Sequence, residues 1–305
     1  LKFGVPKELS KSEILNIVDQ FVNAAEVAKQ TGFTGVQLHS AHGYLLSEFL
    51  SPNVNQRTDE WGGSIENRSR LLITTIEAIR DKVGSNFPIS IKLNSSDFQK
   101  GGFSHEESIE VAKILNNTTL DLLEISGGTY ENFTALEIDS LNLKKAKTIK
   151  PQRSTKVREA YFLKYAEAIK EVISIPLAVT GGFRSTEGMN NALQSGACDV
   201  IGLGRPLCSE PDIVNELISG EKKSATLYEN MLEFGPWILG LNSPISLMRS
   251  NNKAAQVYWC YRQILKIADG NEVDTKLGLF KAFLDHFRDD SANSKKYKAF
   301  WKDLD

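Results

Sequence analysis

Between Ser10 and Gly220 the chain alternates two kinds of hydrophobic pattern. Stretches with apolar residues three and four apart, the spacing of one helical face, predict helices over 12–31, 64–84, 105–116, 158–173 and 186–195. Short apolar, β-branched runs between them predict strands over 34–39, 87–94, 120–126, 175–180 and 199–203. Strands that alternate with helices in this way predict a parallel α/β sheet. The punctuation agrees. Ser10 and Ser12 precede the first helix, Ser64 precedes the second, and Ser104 with Glu107 three residues on forms a capping box. Gly32, Gly84 and Gly196 each follow a predicted helix, where a left-handed residue satisfies the last carbonyls before a strand begins.

After Gly220 the alternation stops. The pattern divides the chain into a barrel-type region, 1–220, and a C-terminal helical extension, 221–305. Within the extension, Met231-Leu232-Glu233-Phe234-Gly235-Pro236-Trp237 reads as a loop or lid, and 253–268 reads as a helix. The helix carries Tyr258, Trp259 and Tyr261, an aromatic stripe better explained by core packing than by a cofactor.

Composition narrows the class. With 305 residues and 41% hydrophobic content the chain can bury one large core. Its 36 basic and 38 acidic residues give a net charge of −2 without long runs of one sign, which argues against nucleic acid or an anionic membrane as partner and for a small molecule. Cys198, Cys208 and Cys260 are an odd number with no CxxC spacing, so neither a disulfide framework nor an iron–sulfur or zinc ribbon is indicated, and a reducing, cytoplasmic compartment fits. The opening Leu1-Lys2-Phe3-Gly4-Val5-Pro6 has neither an initiator Met nor the layout of a signal peptide, and reads as the start of a fragment.

Three constellations could carry chemistry. Gly35-Val36-Gln37-Leu38-His39-Ser40-Ala41-His42-Gly43-Tyr44 is a strand that ends in two histidines and a tyrosine. At the C-terminal end of a barrel strand these rings converge on one ligand. Two imidazole N–H donors aimed at a carbonyl oxygen stabilise the charge that grows there when hydride adds to the conjugated β-carbon, and Tyr44 supplies the proton to the α-carbon. A zinc site is the rival reading of His-x-x-His, but the nearest acid, Glu48, lies in the following segment, and no metal is expected. His105 and His286 read as surface residues.

The second constellation is Thr180-Gly181-Gly182-Phe183 after one strand and Gly202-Leu203-Gly204-Arg205-Pro206 after the next, a pattern that suits a phosphate: glycines let backbone N–H groups approach, and Arg205 forks onto the oxygens. The third is Lys92 within the apolar strand Ile89-Ser90-Ile91-Lys92-Leu93-Asn94, a costly placement unless a partner such as a reduced flavin anion neutralises it. The glycines of Ser126-Gly127-Gly128-Thr129-Tyr130 suggest close approach of a ligand or of backbone. Another phosphate-binding barrel, such as an aldolase or isomerase, or an open five-stranded doubly wound sheet also fits the alternation, but neither needs the His-x-x-His-x-Tyr cluster.

His39-Ser-Ala-His42-Gly-Tyr44-Leu-Leu-Ser-Glu-Phe-Leu-Ser-Pro52, with Arg57-Thr-Asp-Glu-Trp-Gly-Gly-Ser-Ile-Glu-Asn-Arg68, resembles the signature of the Old Yellow Enzyme, or NADH:flavin oxidoreductase, family. The resemblance runs over about 5–220. It implies a (β/α)8 TIM barrel of which strands 4–8 are present, noncovalent FMN, hydride taken from NADPH or NADH, and reduction of an activated alkene such as an enone. By the same resemblance His39 and His42 clamp the substrate carbonyl, Tyr44 is the proton donor, Lys92 lies by the flavin pyrimidine edge, and Gly182, Phe183, Gly204 and Arg205, with Gly181 in the same turn, hold the FMN phosphate. Two departures stand out. Lys92 occupies a position where the family often has Arg, which keeps the charge and loses the bidentate fork. The family's first three βα units have no counterpart in the sequence, and no CxxC segment follows the barrel, which places the chain with the flavin-only branch. The alternative is a noncatalytic barrel remnant that does not bind flavin.

Overall fold

The computed structural model describes residues 4–128 and 160–302. They fall into two compact units, one running to Phe183 and resuming over Glu187–Gly202, the other made of Arg184–Thr186 and the chain from Leu203 onward.

In the first unit the order is α1 (Lys11–Gln30), β1 (Val36–Ser40), α2 (Leu45–Leu50), α3 (Ile65–Val83), β2 (Ile89–Asn94), α4 (His105–Leu115), β3 (Leu122–Ser126), α5 (Leu163–Lys170), β4 (Leu177–Thr180), α6 (Thr186–Gln194) and β5 (Val200–Gly202). All five strands are parallel, and each lies beside the one before it. An unbroken sequential order is that of a barrel wall. A doubly wound sheet reverses its strand order at a switch point, which this sheet lacks.

Register divides the sheet into two faces. Leu38, Ile91, Leu123 and Leu177 are aligned on one and are all buried, the apolar face that helices cover. One residue along, His39 pairs with Lys92 and Lys92 with Glu124 on the opposite face. Period-two alternation thus sends the polar side chains of these strands, Ser40 excepted, to the face that lines a barrel interior.

The caps form as their residue types dictate. Ser10 with Glu13, and Ser104 with Glu107, make reciprocal capping boxes, while Ser64 accepts from the Asn67 amide. Gly84 closes α3 at φ 79°. Much of the long Arg57–Arg68 motif is architectural. Arg68 is 4% exposed and ties Gly63 and Leu50 carbonyls to the Glu107 carboxylate, and Arg57 pairs with Asp59 while donating to the Leu9 carbonyl at 2.7 Å.

The predicted helix over 158–173 begins late, at Leu163, because Tyr161 and Phe162 form a turn that places Phe162 in the core. Its first two predicted residues, 158–159, and Thr129 and Tyr130 lie outside the described residues. The glycines after β3 and β4 serve this packing. A Cβ on Gly127 would meet the Phe162 and Phe98 rings at 2.7 Å, and one on Gly181 would meet Phe162 at 2.9 Å. The close approach inferred for Gly127 is therefore made by aromatic side chains.

In the second unit, α7 (Arg205–Ser209), α8 (Ile213–Ser219), α9 (Ser246–Ala268) and α10 (Leu279–Lys302) are joined by short 3₁₀ turns at Tyr228–Asn230 and Trp237–Leu239. The core gathers Leu232, Ala255, Trp259, Leu279 and Ala282. Trp259 is 1% exposed and donates its indole N–H to the Leu277 carbonyl, so the central residue of the aromatic stripe is core, whereas Tyr261 is exposed. His286 is half-buried and stacks on Tyr258 at 4.0 Å; in the first unit His105 packs edge-on against Tyr165 at 4.8 Å. Both histidines expected at the surface are instead partly covered by tyrosine rings. Among the described residues no helix is long and apolar enough to cross a membrane.

Candidate active site

β1 ends at Ser40, and the chain then reverses through two left-handed residues, His42 at φ 62° and Gly43 at φ 79°, before Tyr44 caps α2. This turn gathers the three rings. His39 and His42 lie 5.1 Å apart edge to face, and His39 and Tyr44 lie 4.9 Å apart. Glycine adopts such backbone freely, but for His42 it costs about 1 kcal/mol. The turn is held by Asn94, at the end of β2, whose Oδ1 accepts from the His42 N–H at 3.2 Å while its Nδ2 donates to Asp97 Oδ1 and to the Gly128 carbonyl, both at 2.9 Å. Asn94 and Asp97 are almost fully buried, and Asp97 also accepts from the Phe103 amide. The strand ends of β1, β2 and β3 are thereby locked to one another around the His42 backbone.

Ser126, last residue of β3, places its Oγ 2.7 Å from His42 Nε2. One ring nitrogen of His42 is thus engaged by the protein; the hydroxyl can donate to it or accept from it, and the role it takes sets that of the other ring nitrogen. Burial lowers the pKa of His42, with the neighbouring His39 and Lys92 acting in the same direction, to about 4. His39 is lowered from 6.5 first by burial and then by Lys92. Both imidazoles are accordingly neutral at neutral pH, each with one N–H donor and one acceptor nitrogen. Tyr44 is 45% exposed at the open side of the cluster.

Lys92 has a protein partner. Its Nζ is 2.8 Å from Glu124 Oε1, and the second oxygen of Glu124 accepts from Gln37 Nε2 at 2.9 Å. Sequence reasoning named Lys92 and missed Glu124, although Leu122-Leu123-Glu124-Ile125 carries the same signal, a charge inside an apolar strand. It also missed Ser126 and Asn94, whose roles depend on which strands are neighbours.

The two glycine turns fall in different units. In the first, Gly181 and Gly182 are both left-handed, at φ 143° and 86°, and Phe183 is buried. Gly202 must lack a side chain, because a Cβ there would fall 1.8 Å from Thr180 Oγ1. In the second unit, Gly204 precedes α7 with open space around its Cα, and the Arg205 side chain is 42% exposed, 3.7 Å from Glu229, whose carboxylate is already held by Arg184. Arg205 therefore keeps donors available for an anion. Each unit by itself holds a donor of the kind a flavin nucleotide needs: Lys92 in the first could offer a cation to a ring, and Arg205 in the second could offer a guanidinium to a phosphate. Among the described residues no three His, Cys, Asp or Glu side chains converge as a metal set.

Comparison with known proteins identifies the family. The family described as NADH:flavin oxidoreductase / NADH oxidase matches residues 2–224. The NADH-dependent flavin oxidoreductase nadA of Aspergillus parasiticus is 40% identical over 226 residues, 74% of this chain and 48% of its own length. A solved 2-naphthoyl-CoA reductase in complex with 2-naphthoyl-CoA superposes with a TM-score of 0.60 at 30% identity, covering 70% of this chain and 30% of the reductase. The Old Yellow Enzyme homologue of Zymomonas mobilis superposes with a TM-score of 0.55 at 25% identity, covering 73% of this chain and 57% of that one. The chain thus spans from under a third to somewhat over half of the length of these proteins. Its sequential parallel sheet is part of a (β/α)8 barrel, and the chain belongs to the NADH:flavin oxidoreductase / NADH oxidase family.

Proposed function

We propose that the protein is an FMN-dependent ene-reductase that uses NADH or NADPH to reduce the C=C bond of α,β-unsaturated carbonyl compounds. The observation that carries this reading is the cluster of His39, His42 and Tyr44 at a strand end, with Lys92 one strand away in register with His39. When bound, the flavin supplies hydride chemistry between the nicotinamide and the alkene. His39 and His42 donate N–H groups to the substrate carbonyl oxygen, where negative charge develops as the β-carbon is attacked. Neutral imidazoles suit this work, since each presents a donor without a competing proton loss to solvent, and burial keeps them neutral. Tyr44 delivers its phenolic proton to the α-carbon from the exposed side. Lys92 is assigned to the flavin pyrimidine edge, and Gly181, Gly182, Phe183, Gly204 and Arg205 to its phosphate. Balanced charge and three free thiols support a cytoplasmic setting.

The test supplies the purified protein with FMN and then NADH or NADPH under anaerobic conditions, and follows flavin absorbance before and after 2-cyclohexenone is added. Bleaching by the nicotinamide and recovery on addition of enone is the expected result. Flavin that is bleached but not restored by any enone would point to oxidase chemistry, and a protein that takes up no FMN would be the noncatalytic barrel.

A further inference from the structure

The buried carboxylate of Glu124 has no part in the chemistry above, yet it collects donors from three other strands. Lys92 on β2 lies at 2.8 Å, Gln37 on β1 at 2.9 Å, and the Thr180 hydroxyl on β4 completes the set. Glu124 is the direct register partner of Lys92, and Lys92 that of His39, so the three side chains stand in one row on the interior face of the sheet. The carboxylate is 13% exposed. Burial alone would raise its pKa, but the hydrogen bonds from Lys92 and Thr180, the Lys92 charge and Gln37 together hold it below the usual carboxylate range, so it is ionised at neutral pH. An ammonium of charge +1 beside a carboxylate of charge −1 presents no net charge to its surroundings, only a dipole that weakens faster with distance than a bare cation.

We propose that Glu124 is a positioning residue that holds the Lys92 ammonium in place and offsets its charge, so that it sets the electrostatic field felt by His39 and, on the reading that the site binds FMN, by the flavin. Lys92 and Glu124 already act on both histidines in opposite directions, Lys92 lowering and Glu124 raising their pKa values. A bare lysine would stabilise an anionic reduced flavin. The pair stabilises it less, which leaves the reduced flavin a stronger hydride donor toward the alkene than an uncompensated cation would allow.

The experiment compares E124Q and the double variant K92M/E124Q with the parent protein. Gln keeps the volume of Glu124 and one of its two acceptor oxygens but removes its charge; the double variant removes both charges and leaves no buried unpaired ion, which protects folding. In flavin-free protein, NMR titration of the His39 ring should show its pKa lowered by E124Q and restored toward the parent value in the double variant. In the FMN-loaded protein, E124Q should shift the equilibrium toward reduced flavin at least tenfold, about 30 mV for a two-electron couple, and the double variant should reverse the shift. If E124Q leaves both the His39 titration and the flavin potential unchanged, or if the double variant behaves as E124Q does, the inference is overturned. Should the protein bind no FMN, the proposed function fails while the His39 titration still decides whether Glu124 offsets Lys92.

Discussion

His42 Nε2 lies 2.7 Å from Ser126 Oγ, a contact that joins the end of β1 to the end of β3 across the intervening strand. If this ring donates to a substrate oxygen through Nδ1, the Ser126 hydroxyl must donate to Nε2 and thereby favours the tautomer protonated at Nδ1. Ser126→Ala should therefore weaken binding of a phenol or enone about threefold to tenfold, the equivalent of roughly 0.5–1.5 kcal/mol for one hydrogen bond. Flavin content should stay at the parent level. Titrating the flavin spectrum with a phenol measures both, and a loss of flavin with phenol affinity intact would place Ser126 in the flavin site instead.

Neutral His42 makes a pH prediction whose sign can be worked out. In the unfolded chain the ring takes up a proton near its ordinary value of 6.5, whereas burial in the folded chain delays this to about 4. Between about 6.5 and about 4 the unfolded state thus binds a proton that the folded state does not, so stability is fully present above pH 6.5 and falls as the pH is lowered through this window. His42→Asn should flatten the decline. Urea midpoints recorded across the window for both proteins check it; parallel curves would show that His42 titrates in the folded chain as it does in the unfolded one.

Asn94 predicts a different kind of damage. It is 1% exposed and spends its side chain on the His42 amide, the Asp97 carboxylate and the Gly128 carbonyl. Asn94→Ala leaves those partners unsatisfied and releases the left-handed His42, so the first unit should lose about 1–3 kcal/mol by urea denaturation. The ring contacts of His39 with His42 should loosen with it, visible as narrowed chemical-shift differences between the two imidazoles. Unchanged stability would mean that water replaces the amide.

How much of this was legible in the sequence follows from the range over which each signal acts. The capping residues Ser10, Ser64 and Ser104 act within three positions, and all three caps form where the sequence puts them. The strands follow from short apolar, β-branched runs and fall within two residues of expectation at either end. His39, His42 and Tyr44 are close in sequence, so their convergence at a strand end could be read directly. Glu124 and Ser126 lie more than 80 residues from Gln37 and His42, the residues they bond, and their partnership exists only because the sheet sets β3 two places from β1 with β2 between. Lys92 was rightly seen to need a neutralising partner, but composition could not say whether the partner was a ligand or a carboxylate. Phe162 is a similar case, since nothing local tells that one ring will occupy the space left by Gly127 and Gly181.

Tyr44→Phe should separate the two halves of the proposed reaction. Reduction by nicotinamide needs no proton from Tyr44, whereas completion of alkene reduction needs one at carbon. The enone-dependent half-reaction should slow by roughly a hundredfold, within the range that general acid catalysis contributes, while reduction by NADH or NADPH proceeds at the parent rate. Stopped-flow absorbance resolves the two phases. Equal slowing of both would mean that Tyr44, half-exposed beside His39, serves to position ligands and not to protonate them.

Arg205 offers a test of the phosphate assignment that does not depend on turnover. Its side chain is 42% exposed and 3.7 Å from Glu229, a distance too long for a committed hydrogen bond, and Glu229 is already engaged by Arg184. The guanidinium is therefore available to an anion, and a phosphate dianion would take a charge-assisted fork from it. Arg205→Ala removes that fork and leaves the structural ion pair of Arg184 with Glu229 in place. Affinity for FMN should fall by about 1.5–3 kcal/mol, roughly tenfold to a hundredfold, while affinity for riboflavin, which has the same ring and no phosphate, should not change. Fluorescence quenching titrations with the two flavins give both numbers on the same protein. Equal losses for FMN and riboflavin would show that the substitution disturbs the ring site or the fold, and an unchanged FMN affinity would remove Arg205 from the flavin site.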